Sequence, residues 1–154
     1  MRLNKKYWNE RYLSNKTGWN IGYISKPLKA YFDQLSNKDL KILIPGCGNA
    51  YEAEYLHKNK FTNTNVLDYS NIAINNFKKR VISFPQRNII EMNFFELEES
   101  YDLIVEQTFF CALAINKRKL YVEKINNLLS KNGKLVGLFF DDVFMTDLAI
   151  MRNS

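Results

Sequence analysis

Five short apolar segments recur along the chain, and segments with helical spacing separate them. Short apolar runs bounded by glycine, proline or charged residues are typical of strands buried on both faces. The predicted strands cover residues 41–45, 64–68, 87–92, 101–106 and 134–140. Strands that alternate with helices favour an α/β fold, with a mostly parallel sheet covered by helices on both faces. Ligands of such sheets bind at the carboxyl ends of the strands, near the point where the strand order reverses.

The segments between the strands carry helix signals. The predicted helices cover residues 3–14, about 27–36, 51–59, a segment beginning near residue 71, and 117–130. Trp8 and Tyr12 are four residues apart and share one face of the first helix. Pro27 suits the first turn of the second helix, and Ser70 or Asn71 suits the cap of the fourth.

The last predicted helix has an apolar face and a stop signal. Its apolar positions are Leu120, Ile125, Leu128 and Leu129. Asn132-Gly133 follows, and this pair is typical of the end of a helix. The pattern therefore predicts a helix that ends shortly before the fifth strand.

Composition and charge exclude several classes of protein. The 154 residues suit a single domain. No apolar run reaches the length of a membrane span, and the polar N-terminus lacks a secretory signal. A cytoplasmic location is therefore expected. Cys47 and Cys111 are too few for a disulfide framework or a zinc site, and no metal is expected. The net charge of +6 comes from lysines interspersed with acids, which argues against a nucleic-acid partner.

A glycine-rich turn, with Gly46 and Gly48, follows the first predicted strand. Glycines permit a tight turn and the close approach of a ligand to the backbone. A turn of this kind serves nicotinamide cofactors, flavins and S-adenosylmethionine alike. The dinucleotide fingerprint requires a small residue where Tyr51 stands, so the nicotinamide interpretation is disfavoured.

An acidic residue, Asp68, follows the second predicted strand and lies twenty residues beyond Gly48. A carboxylate at this place accepts hydrogen bonds from ribose hydroxyls. The alternative role of Asp68 is to cap the next helix, but Ser70 is available as the cap. We therefore favour a ligand-binding role for Asp68.

Polar residues beside aromatic ones follow the third and fourth predicted strands. Asn93 stands before Phe94 and Phe95, and this combination suits an adenine, through one hydrogen bond and packing on the ring. The alternative is that both phenylalanines belong to the core. After the fourth strand, Glu106 and Gln107 are expected to face the ligand, and the phenylalanines that follow them are expected to line a small pocket.

Two catalytic arrangements are absent from the sequence. The Asp/Asn-Pro-Pro-aromatic motif of many methyltransferases that act on nucleic-acid bases does not follow the fourth strand. His57 is the only histidine and lies in a predicted helix remote from the strand ends, so a hydrolytic triad is disfavoured.

Several segments together resemble the thiopurine S-methyltransferase superfamily, and especially its halide/thiol methyltransferase branch. They are YWNERY with TGW downstream, ILIPGCGNAYE, VLDYS, NFFEL, YDLIVEQTFFCAL and KLVGLFF, and they span about residues 7–141. The resemblance implies a Rossmann-like class I methyltransferase fold with S-adenosyl-L-methionine as the methyl donor. It also implies transfer of the methyl group to the sulfur of a small thiol or thiopurine, or to a halide.

The resemblance implies roles for individual residues at the donor site. Trp8, Tyr12 and Trp19 match the aromatic positions of the N-terminal segment that close over the donor. Gly46 matches the glycine that approaches the methionine part of the donor. Asp68 matches the acid that binds the ribose.

The resemblance also assigns the adenine end and the acceptor side. Asn93, with Phe94 and Phe95, stands at the adenine position, where relatives usually have Asp, and its carbonyl still accepts a hydrogen bond. Gln107 occupies a position that varies within the family. Methyl transfer from a sulfonium to a thiolate or halide needs in-line positioning and exclusion of water more than acid–base groups. Glu106 is the candidate for assisting the loss of a thiol proton.

The C-terminal part departs from the family pattern, because the resemblance implies two further strands after the fifth. We expect a helical lid segment over residues 1–37, a donor-binding α/β core over 38–141 and a short tail over 142–154. The fifth strand is then an exposed edge. We expect one of three states: a homodimer that covers this edge, a tail helix that covers it, or a poorly soluble fragment. The alternative function is an S-adenosylmethionine-binding domain with impaired or no turnover.

Overall fold

The computed structural model describes residues 4–139 of the chain. In this part the helices are α1 (Lys5–Leu13), α2 (Lys26–Asp33), α3 (Tyr51–Lys58), α4 (Asn71–Arg80), α5 (Phe109–Ala112) and α6 (Ile115–Leu128). The strands are β1 (Ile42–Pro45), β2 (Thr64–Asp68), β3 (Ile89–Glu91), β4 (Tyr101–Gln107) and β5 (Leu129–Leu138). Single 3-10 turns at Gln86–Asn88 and Phe94–Glu96 flank β3. The predicted alternation of strands and helices is confirmed.

The strands form one parallel sheet in the order β3-β2-β1-β4-β5. β1 lies at its centre, where Ile44 pairs with Val66 of β2 and Leu43 pairs with Ile104 of β4. β2 and β3 therefore lie on one side of β1, and β4 and β5 lie on the other. This order leaves a crevice at the carboxyl ends of β1 and β4.

Alternate residues of β1 face two separate hydrophobic cores. Ile42 and Ile44 belong to the core that α2, α3 and α4 cover, whereas Leu43 belongs to the core under α6. All four residues of β1 are buried. Because β1 is buried on both faces, its sequence is apolar throughout and does not alternate.

Side-chain caps mark the starts of the first and fourth helices. Asn4 accepts a hydrogen bond from the Tyr7 backbone N–H at 3.0 Å. Ser70 accepts one from the Ala73 backbone N–H at 3.2 Å. Of the two cap candidates before α4, the cap is therefore Ser70, and Asn71 is the first helical residue. Both caps satisfy N–H groups that have no partner within the helix.

The junction between α6 and β5 differs from the prediction. α6 ends at Leu128, and Asn132-Gly133 lies inside β5 instead of ending the helix. The β4–β5 ladder is irregular here, and the Ser130 hydroxyl donates a hydrogen bond to Asp102 Oδ1 at 3.0 Å. Asn132 has a φ of +69°, which accommodates the irregularity. The Asn132-Gly133 pair thus lies in an irregular part of β5 and does not end the helix.

The face that α6 turns to the core also differs from the prediction. Leu120 is 45% exposed, whereas Tyr121 is 3% exposed and packs in the core with Ile125 and Leu128. The tyrosine is accommodated because its hydroxyl finds a buried partner, the Glu106 carboxylate, at 3.0 Å. Leu129, assigned to the helix from its apolar character, is the first residue of β5.

β5 is one of the two edge strands of the sheet within residues 4–139. The predicted tail, residues 142–154, lies outside the described residues. Coverage of the β5 edge by a second copy stays a prediction, as does the division into lid, core and tail. In the part of the chain that the structure describes, no helix is long and apolar enough to cross a membrane.

Truncating a core side chain tests the packing of α3 on the sheet. Leu56 is fully buried, so Leu56→Ala is expected to lower the free energy of unfolding by about 2 to 5 kcal/mol through lost burial and a residual cavity. Ile82, which is 84% exposed, provides the control, and Ile82→Ala should change stability by less than about 0.5 kcal/mol. Urea denaturation measures both variants, and equal effects of the two would contradict the core assignment.

Candidate functional site

A cleft of about 690 Å³ opens at the carboxyl ends of β1, β2 and β4. It lies at the reversal of strand order, where the sequence analysis predicts a ligand site. Ten residues selected from the sequence line it: Trp8, Tyr12, Trp19, Gly46, Gly48, Asp68, Asn93, Phe94, Phe95 and Gln107. Tertiary structure thus brings together residues that are widely separated along the chain.

The Asp68 carboxylate joins the ends of β1 and β2. Its Oδ2 accepts the backbone N–H of Gly48 at 2.9 Å, and its Oδ1 accepts the backbone N–H of Ser70 at 2.8 Å. Burial raises the pKa of Asp68, and these N–H groups oppose that shift by stabilising the charged form. A carboxylate has about four lone-pair sites, so each oxygen retains capacity for a ligand hydroxyl.

The glycine turn requires glycine at both positions. Gly46 and Gly48 have φ values of +57° and +54°, which side chains of L-residues rarely adopt. A Cβ atom at Gly48 would lie 2.7 Å from the Tyr12 hydroxyl oxygen, and one at Gly46 would lie 2.6 Å from Cγ of Phe109. The absence of side chains therefore allows the aromatic walls of the cleft to reach the backbone of the turn.

Arg80, at the end of α4, holds the glycine turn from outside the cleft. Its guanidinium donates hydrogen bonds to the Asn49 carbonyl oxygen and, at 3.1 Å, to Glu54 Oε2. It also lies 4.2 Å from the centroid of the Tyr51 ring. Sequence reasoning missed this contact, since the only signal was a short basic cluster, and such clusters are usually solvated.

Aromatic residues of the N-terminal segment form the roof of the cleft. The Trp19 ring makes edge contacts with Trp8, at a centroid distance of 5.7 Å, and with Tyr12, at 5.9 Å. Burial raises the pKa of Tyr12, and the negative charge of Asp68 raises it further. The roof therefore presents a neutral phenol and π faces to the interior, and π faces attract cations.

The Asn9 side chain fastens α1 to the sheet side of the cleft. Its amide oxygen accepts a hydrogen bond from the Ser70 hydroxyl at 2.6 Å, and its amide nitrogen donates one to Asn71 Oδ1 at 2.8 Å. Ser70 also donates its backbone N–H to Asp68. One hydrogen-bond network thus connects α1, the helix that carries Trp8 and Tyr12, to Asp68 at the end of β2.

The residues after β3 differ in exposure. The Asn93 amide oxygen accepts the Phe95 backbone N–H at 3.1 Å, so it caps the following 3-10 turn. Phe94 is 3% exposed and packs at 5.2 Å from the Phe109 ring, as a core residue would. Phe95 is only partly buried. Of the two phenylalanines, Phe94 fits the core alternative, although both border the cleft.

Glu106 does not face the cleft, which corrects the expectation that it faces the ligand or assists proton loss. It is 1% exposed and accepts the backbone N–H groups of Phe109 at 3.0 Å and Phe110 at 3.3 Å, and the Tyr121 hydroxyl at 3.0 Å. Burial raises its pKa, and these donors oppose the shift. The carboxylate therefore caps α5, a role that sequence spacing does not distinguish from ligand binding.

The end of β4 contributes Gln107 and Thr108 to the cleft. The Gln107 amide oxygen is buried and has no hydrogen-bond partner among the described residues. Thr108 has a φ of +64°, a conformation that is strained for a β-branched residue. Unpaired polar atoms and strained backbone of this kind cluster at functional sites. No signal in the sequence marks Thr108.

The cleft contains few groups for acid–base or metal chemistry. Residues 4–139 hold no cluster of three potential metal ligands. Cys47 lines the cleft, but burial raises the pKa of its thiol, and the charge of Asp68 raises it further. Cys111 also lines the cleft and is partly exposed. The arrangement suits binding and positioning of a ligand more than proton transfer.

Solved structures with a similar architecture include methyltransferases. Magnesium protoporphyrin IX methyltransferase from Synechocystis PCC 6803 aligns with a TM-score of 0.67 at 12% identity, over 82% of this chain and 70% of that protein. A methyltransferase from Bacteroides fragilis aligns with a TM-score of 0.57 at 16% identity, over 73% of this chain and 46% of that protein. The fold is therefore that of the Rossmann-like methyltransferases.

The family model for thiopurine S-methyltransferase (TPMT) matches residues 3–146, so the chain belongs to this family. The "probable thiol methyltransferase 2" of Arabidopsis thaliana is 27% identical over 138 residues, which cover 86% of this chain and 61% of the relative. The thiopurine S-methyltransferase of Photobacterium profundum is 21% identical over 155 residues, which cover 90% of this chain and 72% of the relative. The chain thus spans between three fifths and three quarters of the length of these relatives.

Removing the charge of Glu106 tests its role as a cap. Glu106→Gln is expected to destabilise the protein by about 1 to 3 kcal/mol, because an amide cannot accept all three hydrogen bonds. The raised pKa means that the folded protein binds this proton more tightly than the unfolded chain does. The wild-type protein therefore loses stability relative to the variant as the pH rises above 4.5, the ordinary pKa of a glutamate. Denaturation at a series of pH values on both sides of this one measures the difference.

The exposed Glu99, which pairs with Lys41, provides the control for Glu106. Glu99→Gln should cost less than about 1 kcal/mol, because exposed ion pairs contribute little. Equal stability of the wild-type protein and Glu106→Gln at every pH would contradict the cap assignment.

Proposed function

We propose that the protein is an S-adenosyl-L-methionine-dependent methyltransferase that transfers a methyl group to the sulfur of a small thiol or thiopurine, or to a halide. The observation that carries the proposal is the convergence of the ten selected residues on one cleft, with Asp68 fastened to the glycine turn. Family membership supports the reaction class. The names of the two relatives support a sulfur acceptor.

The cleft fits the donor at three places. Asp68 retains acceptor capacity for the ribose hydroxyls. Gly46 and Gly48 leave the backbone open to close approach, and Phe95 offers a partly exposed ring beside the Asn93 position. We propose that Trp8, Tyr12 and Trp19 cover the donor and keep water from it.

The bound donor supplies a sulfonium methyl group, which is already a strong electrophile. The residues of this chain then need to position an anionic nucleophile and to exclude water. We propose that Gln107 and Thr108, which border the cleft at the end of β4, lie beside the acceptor. Glu106 does not reach the cleft, so it is not available to take a proton from the acceptor.

A second candidate function is donor binding with impaired turnover. The specific observation in its favour is Asn93, whose amide oxygen is engaged by the Phe95 backbone N–H. A single remaining lone pair on a neutral amide binds an adenine amino group more weakly than a carboxylate does. Turnover distinguishes the two candidates, because both predict donor binding.

Calorimetric titration with S-adenosylhomocysteine, with NADH as the control ligand, tests the donor class. We expect the wild-type protein to bind only S-adenosylhomocysteine. Asp68→Ala is expected to weaken this binding about ten-fold or more, because hydrogen bonds to a charged group are lost. Asp39→Ala, on an exposed loop, should leave it unchanged. Failure of the wild-type protein to bind would overturn the proposed function.

Methylation assays with thiophenol, hydrogen sulfide and iodide test the acceptor class. If the first candidate function is right, at least one acceptor is methylated, and the rate for a thiol rises with pH as the thiolate fraction grows. The rate with iodide should not show that rise, because iodide needs no deprotonation. Donor binding without product from any of the three would favour the second candidate function.

A further inference from the structure

Two adjoining faces of α1 have different surroundings. The residues of the helix that line the cleft are Tyr7, Trp8, Arg11 and Tyr12. Lys5 and Asn9 are not among the lining residues, and their side chains contact the rest of the protein instead. The contacts of this second face therefore determine where the aromatic roof lies over the cleft.

α1 has little apolar surface that could anchor it. Among its nine residues, all of which the structure describes, Tyr12 alone is buried, and the others are exposed or half-buried. Burial of apolar surface is the main favourable contribution when a helix packs on a domain. The position of α1 therefore depends on polar contacts more than that of a core helix does.

The two polar contacts of this face differ in strength. Lys5 pairs with Glu91 at 2.9 Å, but both side chains are about two fifths exposed, and exposed ion pairs contribute little. Asn9 accepts the Ser70 hydroxyl at 2.6 Å and donates to Asn71 Oδ1 at 2.8 Å. Ser70 is fully buried, so its hydroxyl loses a partner inside the protein if Asn9 is removed.

The partner of Asn9 is itself fixed in place. The Ser70 hydroxyl oxygen accepts the Ala73 backbone N–H at 3.2 Å as the cap of α4, and the Ser70 backbone N–H donates to Asp68 at 2.8 Å. Asn9 thus joins α1 to the same residue that orients the Asp68 carboxylate. Small displacements at a binding site are costly, so this connection is suited to keeping the roof aligned with Asp68.

We propose that Asn9 is a positioning residue that holds the aromatic roof over the cleft, so that the methyl donor leaves only after the Asn9 hydrogen bonds break. The inference rests on the proposed function, which places the ribose at Asp68 and the roof over the donor. Asn9 does not line the cleft and acts through α1. Its removal is therefore expected to speed donor release without changing which ligand the cleft recognises.

The roof has its own spectroscopic signal. The chain contains two tryptophans, Trp8 and Trp19, and both belong to the roof, so tryptophan fluorescence reports on the roof alone. Acrylamide quenching of this fluorescence measures how accessible the roof is in the free protein. Stopped-flow fluorescence measures how fast S-adenosylhomocysteine binds and how fast it is released.

The variants are Asn9→Ala, Asn71→Ala and, as the control, Lys5→Gln. Alanine is a better helix former than asparagine, so Asn9→Ala removes the contact without weakening α1 as a helix. Asn71→Ala leaves α1 unchanged and removes one of the two partners of Asn9. Lys5→Gln breaks the ion pair that the same face of α1 makes with Glu91.

We expect Asn9→Ala to release S-adenosylhomocysteine about ten-fold faster than the wild-type protein, because two hydrogen bonds are lost. Its association rate should change by less than about two-fold, since interface changes act mainly on dissociation. Acrylamide quenching of the free variant should increase. Asn71→Ala should show smaller changes in the same direction, and Lys5→Gln should change the release rate by less than about two-fold.

The possible contrary results differ in what they imply for the proposed function. If the wild-type protein binds S-adenosylhomocysteine but Asn9→Ala releases it no faster, or no faster than Lys5→Gln does, Asn9 does not position the roof, and the proposed function stands. If Asn9→Ala instead lowers the amount of protein that binds and leaves the release rate unchanged, its role is only structural and the inference fails. If the wild-type protein does not bind, the proposed function and the inference fail together.

Discussion

The hydrogen bond between the Gly48 backbone N–H and the Asp68 carboxylate is the interaction on which the cleft depends. It ties the turn after β1 to the end of β2, and it forms only because glycine allows a positive φ and leaves no side chain in the way. Tyr12 lies against the same glycine, so the position of the roof depends on that of the turn. The Ser70 N–H shares the carboxylate and connects it, through Asn9, to α1.

Three buried or partly buried carboxylates near the strand ends have different partners. Burial raises the pKa of Asp68, Glu52 and Glu106 alike. Backbone N–H groups of neighbouring residues satisfy Asp68 and Glu106, whereas the raised pKa of Glu52 is opposed by its own backbone N–H and by the positive charge of Arg80. The satisfied carboxylates organise the backbone around the cleft.

The chemistry proposed for the cleft depends on alignment of the reacting groups more than on a proton acceptor. A sulfonium methyl group reacts with an ionised nucleophile when the two are aligned and water is excluded. In the proposed reaction, the aromatic roof and the glycine turn would align the donor and exclude water. Glu106, the side chain that sequence spacing favoured as a base, instead stabilises the short helix that carries Phe109 and Phe110.

Local sequence signals determined the strand–helix alternation, the bounds of β2, and the glycine turn with Asp68, because each depends on neighbouring residues or on a short spacing. They narrowed the cap of α4 to Ser70 or Asn71, and the structure decided for Ser70. Tertiary structure alone decided the burial of Glu106, the Arg80 contact with the turn and the bulge at Asn132, because each depends on residues far apart in the chain. The tyrosine of α6 illustrates the difference: Tyr121 enters the core only because a buried carboxylate receives its hydroxyl. Hydrophobic periodicity records which residues are apolar, but the partner that allows a polar group to be buried is visible only in three dimensions.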